Sequence, residues 1–335
     1  MNPAIEHCLR APTTTLECET VAQWWPSFRP LLTEWDATIA QAIVGGYRAD
    51  RAGWAFSAGY QSALRRMVPD LGRDTAAAFC VTEDGGNRPR DILTVLEPLG
   101  DGGYRLSGTK RWATLGPDST EMLVAATLKP AGSVPTGITA VAAPAPGESG
   151  AQPQTGPRPG IRMVRIRTAT PGVRLIDMPP TRFVPEVPHA RLALDDVRVD
   201  ASALMPGDGY SDYVKPFRTI EDTHINAALL AYLLREARAR GWPRSLVERT
   251  LAILEGLARI APEDPSSPGT HLVLTGLLDW THHLFAQAAP LWAAAGDDPA
   301  ALRWQRDTAL FGMSGATRTL RATRAWERYG LRDEA

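Results

Sequence analysis

The sequence has no excess of charge of either sign: 36 Lys and Arg stand against 37 Asp and Glu, a net charge of −1. No global field therefore draws the chain to nucleic acid or to an anionic membrane, and any such role has to be local. It has no apolar run approaching the ~20 residues of a membrane span. Residues 1–10 lack a basic region followed by an apolar stretch. A soluble, unexported, cytoplasmic protein with no membrane partner is expected. Cysteine is scarce. Cys8, Cys18 and Cys80 match no zinc spacing, and an odd count gives no disulfide framework, which fits a reducing compartment. His271 and the pair His282-His283 show no His-x-x-x-His spacing and no carboxylate placed as a third ligand, so no metal site is expected. A Gly-x-Ser-x-Gly elbow is missing, which removes the usual signature of Ser-His-Asp hydrolysis. The chain carries no internal repeat.

What is present suits a folded enzyme. The 335 residues, 44% hydrophobic and 22% charged, suffice for two or three packed units with sizeable cores. Composition divides the chain into an N-terminal helical domain (1–78), a β-domain (79–205) and a C-terminal helical bundle (206–335). Over residues 16–69 apolar side chains fall at helical spacing, with Gly45-Gly46 read as a break between helices. Residues 92–96, 104–106, 122–128, 161–166 and 191–194 are short β-prone runs divided by Gly, Pro and Asp. Residues 93–112 read as a hairpin, because Gly100-Asp101-Gly102-Gly103 tolerates positive φ between two alternating segments. The Pro- and Gly-rich stretch 129–160 reads as an exposed excursion around one strand at 138–142. Helices are predicted over 220–240, 243–260, 271–295 and 299–330, with Pro243 suited to a first turn and residues 264–269 as a connection.

Two segments carry most of the functional signal: Phe79-Cys80-Val81-Thr82-Glu83-Asp84-Gly85-Gly86, and the hairpin ending in Gly108-Thr109-Lys110-Arg111-Trp112-Ala113-Thr114. They resemble the flavin-facing strands of the acyl-CoA dehydrogenase family, where a Val-Thr-Glu strand end and a Trp-x-Thr strand end meet on one face of FAD. Residues 188–199 look like the last strand of that family's middle domain. Gly207-Asp208-Gly209-Tyr210 looks like the glycine turn that opens its bundle, and residues 304–307 and 324–327 are similar to the ending of a shorter bacterial branch. The resemblance covers most of the chain. It implies an α+β fold of the acyl-CoA dehydrogenase type, with an N-terminal helical domain, a central β-barrel or sandwich and a C-terminal bundle. It further implies FAD as cofactor, with Thr82, Trp112 and Thr114 as cofactor-binding residues. An acyl-CoA or other acyl thioester is the implied substrate, an electron-transfer flavoprotein a partner, and a homo- or hetero-oligomer with another family member the assembly. An isoalloxazine needs a flat apolar wall and a few groups able to switch between donor and acceptor, which Trp112, Thr114 and Thr82 supply. The alternative for Trp112 is an aromatic packed on an ordinary sheet. Glu83 belongs either to the same strand end or to the solvated surface.

The departures from the family pattern are equally specific. The Val-Thr-Glu strand continues as Asp84-Gly85-Gly86-Asn87-Arg88-Pro89, without the family's Pro-Gly-x-Gly-Ser-Asp loop. Residues 243–335 contain neither the Arg-x-x-Phe-Gly segment nor the Gly-Gly-x-Gly stretch that bind the adenine and pyrophosphate of FAD, and no late catalytic glutamate. Desaturation of an acyl thioester needs a poised carboxylate to take the α-proton while a hydride passes to the flavin. Glu221, in Thr219-Ile220-Glu221-Asp222, falls where the isovaleryl-CoA branch of the family places its base and is the candidate catalytic residue. The bland reading is an acidic pair favoured by the dipole of a first helical turn. Arg318, Arg321, Arg324 and Arg328 share one helix face, suited to FAD, CoA or nucleic-acid phosphates or to a solvated or subunit-facing surface. Three function classes follow: an FAD-dependent acyl-CoA dehydrogenase-like oxidoreductase, a non-catalytic or half-site subunit of a heteromeric enzyme, and a DNA-associated member resting on the arginines alone. The apolar residues Leu272, Leu274, Leu277, Leu278, Leu284 and Phe285 are read as a surplus favouring oligomerisation.

Overall fold

The computed structural model describes residues 1–129, 160–312 and 315–331. The N-terminal part is helical: α1 (Pro3–Arg10), α2 (Val21–Phe28), α3 (Leu31–Glu34), α4 (Thr38–Arg48) and α5 (Ala52–Met67). Gly45 and Gly46 do not break a helix, contrary to expectation, because α4 runs through both. Their role is close approach. A Cβ on Gly46 would lie 2.1 Å from the Ala228 carbonyl oxygen, and one on Gly59 of α5 would lie 2.6 Å from the Ile225 Cα. Glycine's cost within a helix is offset here by letting two helices meet a third backbone to backbone.

The strands are β1 (Ala77–Cys80), β2 (Val95–Pro98), β3 (Tyr104–Thr114), β4 (Glu121–Leu128), β5 (Ile161–Arg167), β6 (Val173–Asp177) and β7 (His189–Val199). Among the described residues they form one sheet in the order β1-β4-β2-β3-β7-β6, with β5 also on β4. One edge of β4 is shared, β1 pairing with Glu121–Val124 and β2 with Thr127–Leu128, while β5 takes the other edge. The β2–β3 hairpin forms as expected, closed by Leu99 and Gly103 with Gly102 at φ 85°. Of the predicted run 92–96 only its end becomes strand, because Pro89–Asp91 forms a 3₁₀ turn just before it. β6 was not expected, its residues being half-buried or exposed at the sheet edge. The predicted strand at 138–142 lies outside the described residues.

Period-two alternation gives this sheet two apolar faces. Ala78, Cys80, Met122, Val124 and Ala126 point into a core enclosed by the sheet itself, with Leu106, Leu192 and Val197. Ala77, Phe79, Val81, Leu123 and Ala125 face the opposite way, onto the helices. The three cysteines are free and buried.

After β7 a wide turn (Gly209–Val214) leads into α6 (Lys215–Ala239), followed by α7 (Arg244–Ile260), α8 (Pro268–Ala293), α9 (Pro299–Asp307) and α10 (Gly315–Arg328). The single helix predicted over 299–330 is therefore two, separated by a 3₁₀ turn at Thr308–Gly312. Residues 222–237 of α6 are all buried, so this helix has no polar face and is enclosed by its neighbours. Leu274, Leu277, Leu278, Leu284 and Phe285 are buried in the chain's own core and Leu272 is half-buried; Val273 and Trp280 are the large apolar side chains that α8 exposes. Among the described residues no helix is long and apolar enough to cross a membrane.

Candidate functional site

The site is built where β1 ends. Phe79, on the helix-facing side of the strand, meets Phe217 of α6 with ring centroids 4.4 Å apart, and Tyr60 of α5 stands edge-on to Phe217 at 6.2 Å. Tyr60 Oη accepts the Phe79 N–H at 2.8 Å, which ties α5 to the strand. Past Cys80 the chain leaves β4, and β3, longer than β2, takes over: the Arg111 N–H donates to the Thr82 carbonyl at 2.7 Å. Thr82 is thereby set beside Trp112. The β3–β7 register shifts between Lys110 and Ala113, placing Arg111 and Trp112 opposite the single residue Arg191. Such a bulge turns side chains out of strict alternation. Trp112 is left half-buried, with its ring edge-on to His189 at 5.4 Å and 87°. Thr114 pairs with His189 across the ladder, and the strand ends at Leu115, held at φ 57° with its N–H on the Pro188 carbonyl.

Glu83 is not a solvated charge. Its Oε1 lies 2.6 Å from Nζ of Lys110, a lysine with no exposed surface, and accepts from the Thr94 N–H at 2.9 Å and Thr94 hydroxyl at 2.7 Å. Its Oε2 accepts from the Leu93 N–H at 2.9 Å. Burial alone would raise the Glu83 carboxyl, but Lys110 and Thr94 outweigh it and hold the group below its ordinary value. The pair ties the β1 exit to β3 two residues before Trp112. Gly108, at φ 146°, lets β3 pass there, since a Cβ would lie 2.7 Å from the Thr94 Cα. In place of the family's Ser-Asp loop the chain makes a tight turn, Glu83 and Gly86 exchanging backbone hydrogen bonds of 2.8 and 3.1 Å.

Glu221 stands on α6 one turn beyond Phe217. It lies in the second turn, past the reach of the dipole that favours acidic residues in a first turn, so the helix-terminus account does not apply. Burial pushes its carboxyl above the ordinary value, opposed by the Arg218 guanidinium 3.1 Å away. Among the described residues no hydrogen bond or ring contact joins Glu221 to Thr82, Trp112 or Thr114. They share a locality through Phe217 and Phe79, three residues before Thr82.

The arginine face of α10 is split. Arg324 and Arg328 are exposed. Arg318 and Arg321 point inward, each 3.0 Å from a separate oxygen of Asp222, and Arg321 also donates to the Thr219 hydroxyl at 3.2 Å. A continuous basic stripe for nucleic acid is thus not formed, and the DNA-associated reading loses its basis. Arg306 likewise pairs with Asp307 at 2.7 Å and Glu186 at 3.0 Å. Sequence reasoning assigned no role to Lys110, His189 or Asp222. Only Lys110 left a trace, as a charge on the inward-facing row Leu106, Gly108, Lys110.

The chain matches no protein-family model and no curated protein. It does match solved structures. Glutaryl-CoA dehydrogenase from Mycobacterium smegmatis aligns over 99% of this chain and 94% of its own, with TM-score 0.62 and 14% identity. Butyryl-CoA dehydrogenase from Megasphaera elsdenii aligns over 87% and 81%, with TM-score 0.58 and 14% identity. An FAD complex of PigA aligns over 88% and 82%, with TM-score 0.61 and 15% identity. At such identities the likeness is one of fold. Helices, sheet and bundle follow one another as they do in those enzymes, and the chain has the acyl-CoA dehydrogenase fold.

Proposed function

We propose that the protein is a flavin-dependent oxidoreductase acting on an acyl thioester, removing one hydrogen from each of the α and β carbons. What supports this reading is the Thr82 carbonyl held by the Arg111 N–H next to Trp112, with Thr114 two residues further along β3, and a half-buried carboxylate, Glu221, on the helix that meets β1 through Phe217. The fit to FAD is argued from the residues around Trp112. Trp112 is half-buried, Thr82 and Thr114 keep access to solvent, and Nδ1 of His189 is buried with no hydrogen-bond partner. An apolar surface flanked by hydroxyls and an unpaired nitrogen matches a heterocycle with both donor and acceptor edges. PigA, of the same fold, has been solved with FAD.

In this reading Thr82, Trp112 and Thr114 hold the cofactor, and Glu221 accepts the α-proton at a carboxylate oxygen. Bound FAD supplies the acceptor for the hydride equivalent leaving the β carbon. The aromatic floor of Tyr60, Phe79 and Phe217 excludes water, which makes ionised Glu221 more basic, and Arg218 keeps its ionised form accessible. The substrate thus loses one proton, to Glu221, and the equivalent of one hydride, which bound FAD would accept, with no net change of charge, leaving an α,β-unsaturated thioester.

A second reading is favoured by a specific feature, the lack of any Gly-Gly-x-Gly segment in residues 243–335. The chain then acts as one half of a heteromeric enzyme whose other subunit grips the adenine end of FAD. One experiment separates the two: visible spectra of the purified protein with FAD, alone and with a co-expressed family member. A flavin band that bleaches on adding an acyl-CoA to the protein alone supports the first reading. A band seen only with the second chain supports the other, and no band in either case removes both.

A further inference from the structure

His189 occupies the first position of β7, in register with Thr114 and edge-on to Trp112. Its backbone is held from both sides: its carbonyl accepts from Met178 at 3.0 Å, and the preceding Pro188 carbonyl accepts from Leu115 at 2.8 Å. The segment leading to it is anchored to α9, through the Val184 N–H on Asp307 at 2.7 Å and Glu186 on Arg306 at 3.0 Å. The backbone that carries the imidazole is thereby fixed in place. Yet its Nδ1 is buried and has no partner among the described residues. Buried ring nitrogens are normally paired, and an unpaired one calls for an explanation, one of which is a group bound there. Burial also lowers the imidazole's pKa, so at neutral pH the ring is uncharged, with one nitrogen donating and one accepting.

We infer that His189 is a further cofactor-contacting residue, its Nδ1 forming a hydrogen bond to the heterocycle held by Thr82, Trp112 and Thr114. The inference rests on the flavin reading above and adds a residue and an atom to it. A neutral imidazole suits an uncharged heterocycle with amide-like edges, to which a cation would bring an unbalanced charge. His189 stands edge-on to Trp112 and opposite Thr114 in the ladder, so it adjoins two of the three residues assigned to the cofactor.

The test is FAD titration of the full-length protein and two variants, followed by fluorescence quenching and by the visible spectrum. His189→Phe keeps the edge-on packing and removes the nitrogen; His189→Gln restores a polar group. One lost neutral hydrogen bond weakens FAD binding about five- to tenfold and displaces the flavin band in His189→Phe, with His189→Gln recovering part of both. Labelling histidine ring nitrogens with 15N gives a direct readout that does not depend on the variants folding: FAD addition must shift the Nδ1 resonance of His189. If FAD binds the parent while that resonance stays still, or His189→Phe binds FAD with the parent's affinity and spectrum, His189 is no contact and the flavin reading survives without it. If the parent binds no FAD with or without a partner chain, the flavin reading itself falls and this inference with it.

Discussion

Nζ of Lys110 lies 2.6 Å from Oε1 of Glu83, with the lysine side chain wholly enclosed and the glutamate 7% exposed. The two charges sit between the end of β1 and the middle of β3; Glu83 is the charge that offsets burial of Lys110, while Thr94 and Leu93 share with Lys110 the support of Glu83. Removing one partner of such a pair leaves a buried charge unopposed. Lys110→Met is expected to lower stability by about 3–5 kcal/mol, read from urea midpoints, and to weaken FAD binding by loosening Thr82 from Arg111. Pairing it with Glu83→Gln restores part of the loss. Parent-like stability in Lys110→Met would mean that the pair contributes nothing to this junction.

Glu221→Gln tests the base. As a lost general base it should cut turnover by about 10²–10⁴-fold while leaving FAD binding unchanged. Because burial raises the Glu221 pKa, the parent's rate should climb with pH through that raised value as the carboxylate ionises. The stability consequence has the opposite slope. A folded state that holds its proton more tightly than the unfolded chain loses stability as pH rises through the window between the two pKa values. Glu221→Gln should therefore be at least as stable as the parent at pH 7, with the difference shrinking towards pH 4. Full desaturation activity in the variant would remove Glu221 as base.

His224 gives a pH dependence unrelated to catalysis. Its Nδ1 faces the Ile220 carbonyl at 2.8 Å and so carries the proton, leaving Nε2 to accept from the Thr38 hydroxyl at 3.0 Å. Complete burial pushes its pKa down to about 4. The unfolded chain then binds the extra proton first, so stability is full above pH 6.5 and falls as pH drops from 6.5 to 4. The loss is on the order of 3 kcal/mol. Urea midpoints across that range should show the slope, and His224→Gln should flatten it; an equal slope in both would assign it elsewhere.

Asp222 joins α10 to α6 through Arg318 and Arg321. Asp222→Asn should cost about 2 kcal/mol, less than a fully enclosed pair, because both guanidiniums keep some access to water. Amide exchange over residues 315–328 should quicken more than elsewhere in the bundle. Unchanged exchange there would show that α10 is held by its packing on α8 alone.

How much of this was legible beforehand follows from the range of each interaction. The β-prone run 122–128, the Gly100–Gly103 turn and the helical spacing of α7 and α8 are local, and they predict their elements. The split of 299–330 into α9 and α10 was missed because the apolar spacing continues across a break that carries no proline. Gly45-Gly46 was misread because glycine's use there depends on neighbours from other helices, Ala58 and Phe28 at Gly45 and Ala228, far along the chain, at Gly46. The wall residues were named from a motif, whereas their supports were not. Arg318 meets Asp222 across 96 residues, and Lys110 meets Glu83 across 27. Polar partners at such separations leave no periodic trace. His189 was seen only as the start of a strand, since an unpaired nitrogen is a property of its surroundings.

The two glycines beside α6 determine how the site responds to change elsewhere. At Gly46 and Gly59 the neighbouring helices meet its main chain with no side chain between them. Spacing set in this way is governed by atomic radii, and drift in the surrounding core cannot stretch or compress it. The helix behaves as a datum against which the rest of the molecule is measured, so the core can vary widely among related chains while Phe217 and Glu221 keep their distance from the sheet. Tolerance to substitution should therefore be high through the bundle and should collapse at those two positions, where adding one methyl group moves the whole reference line.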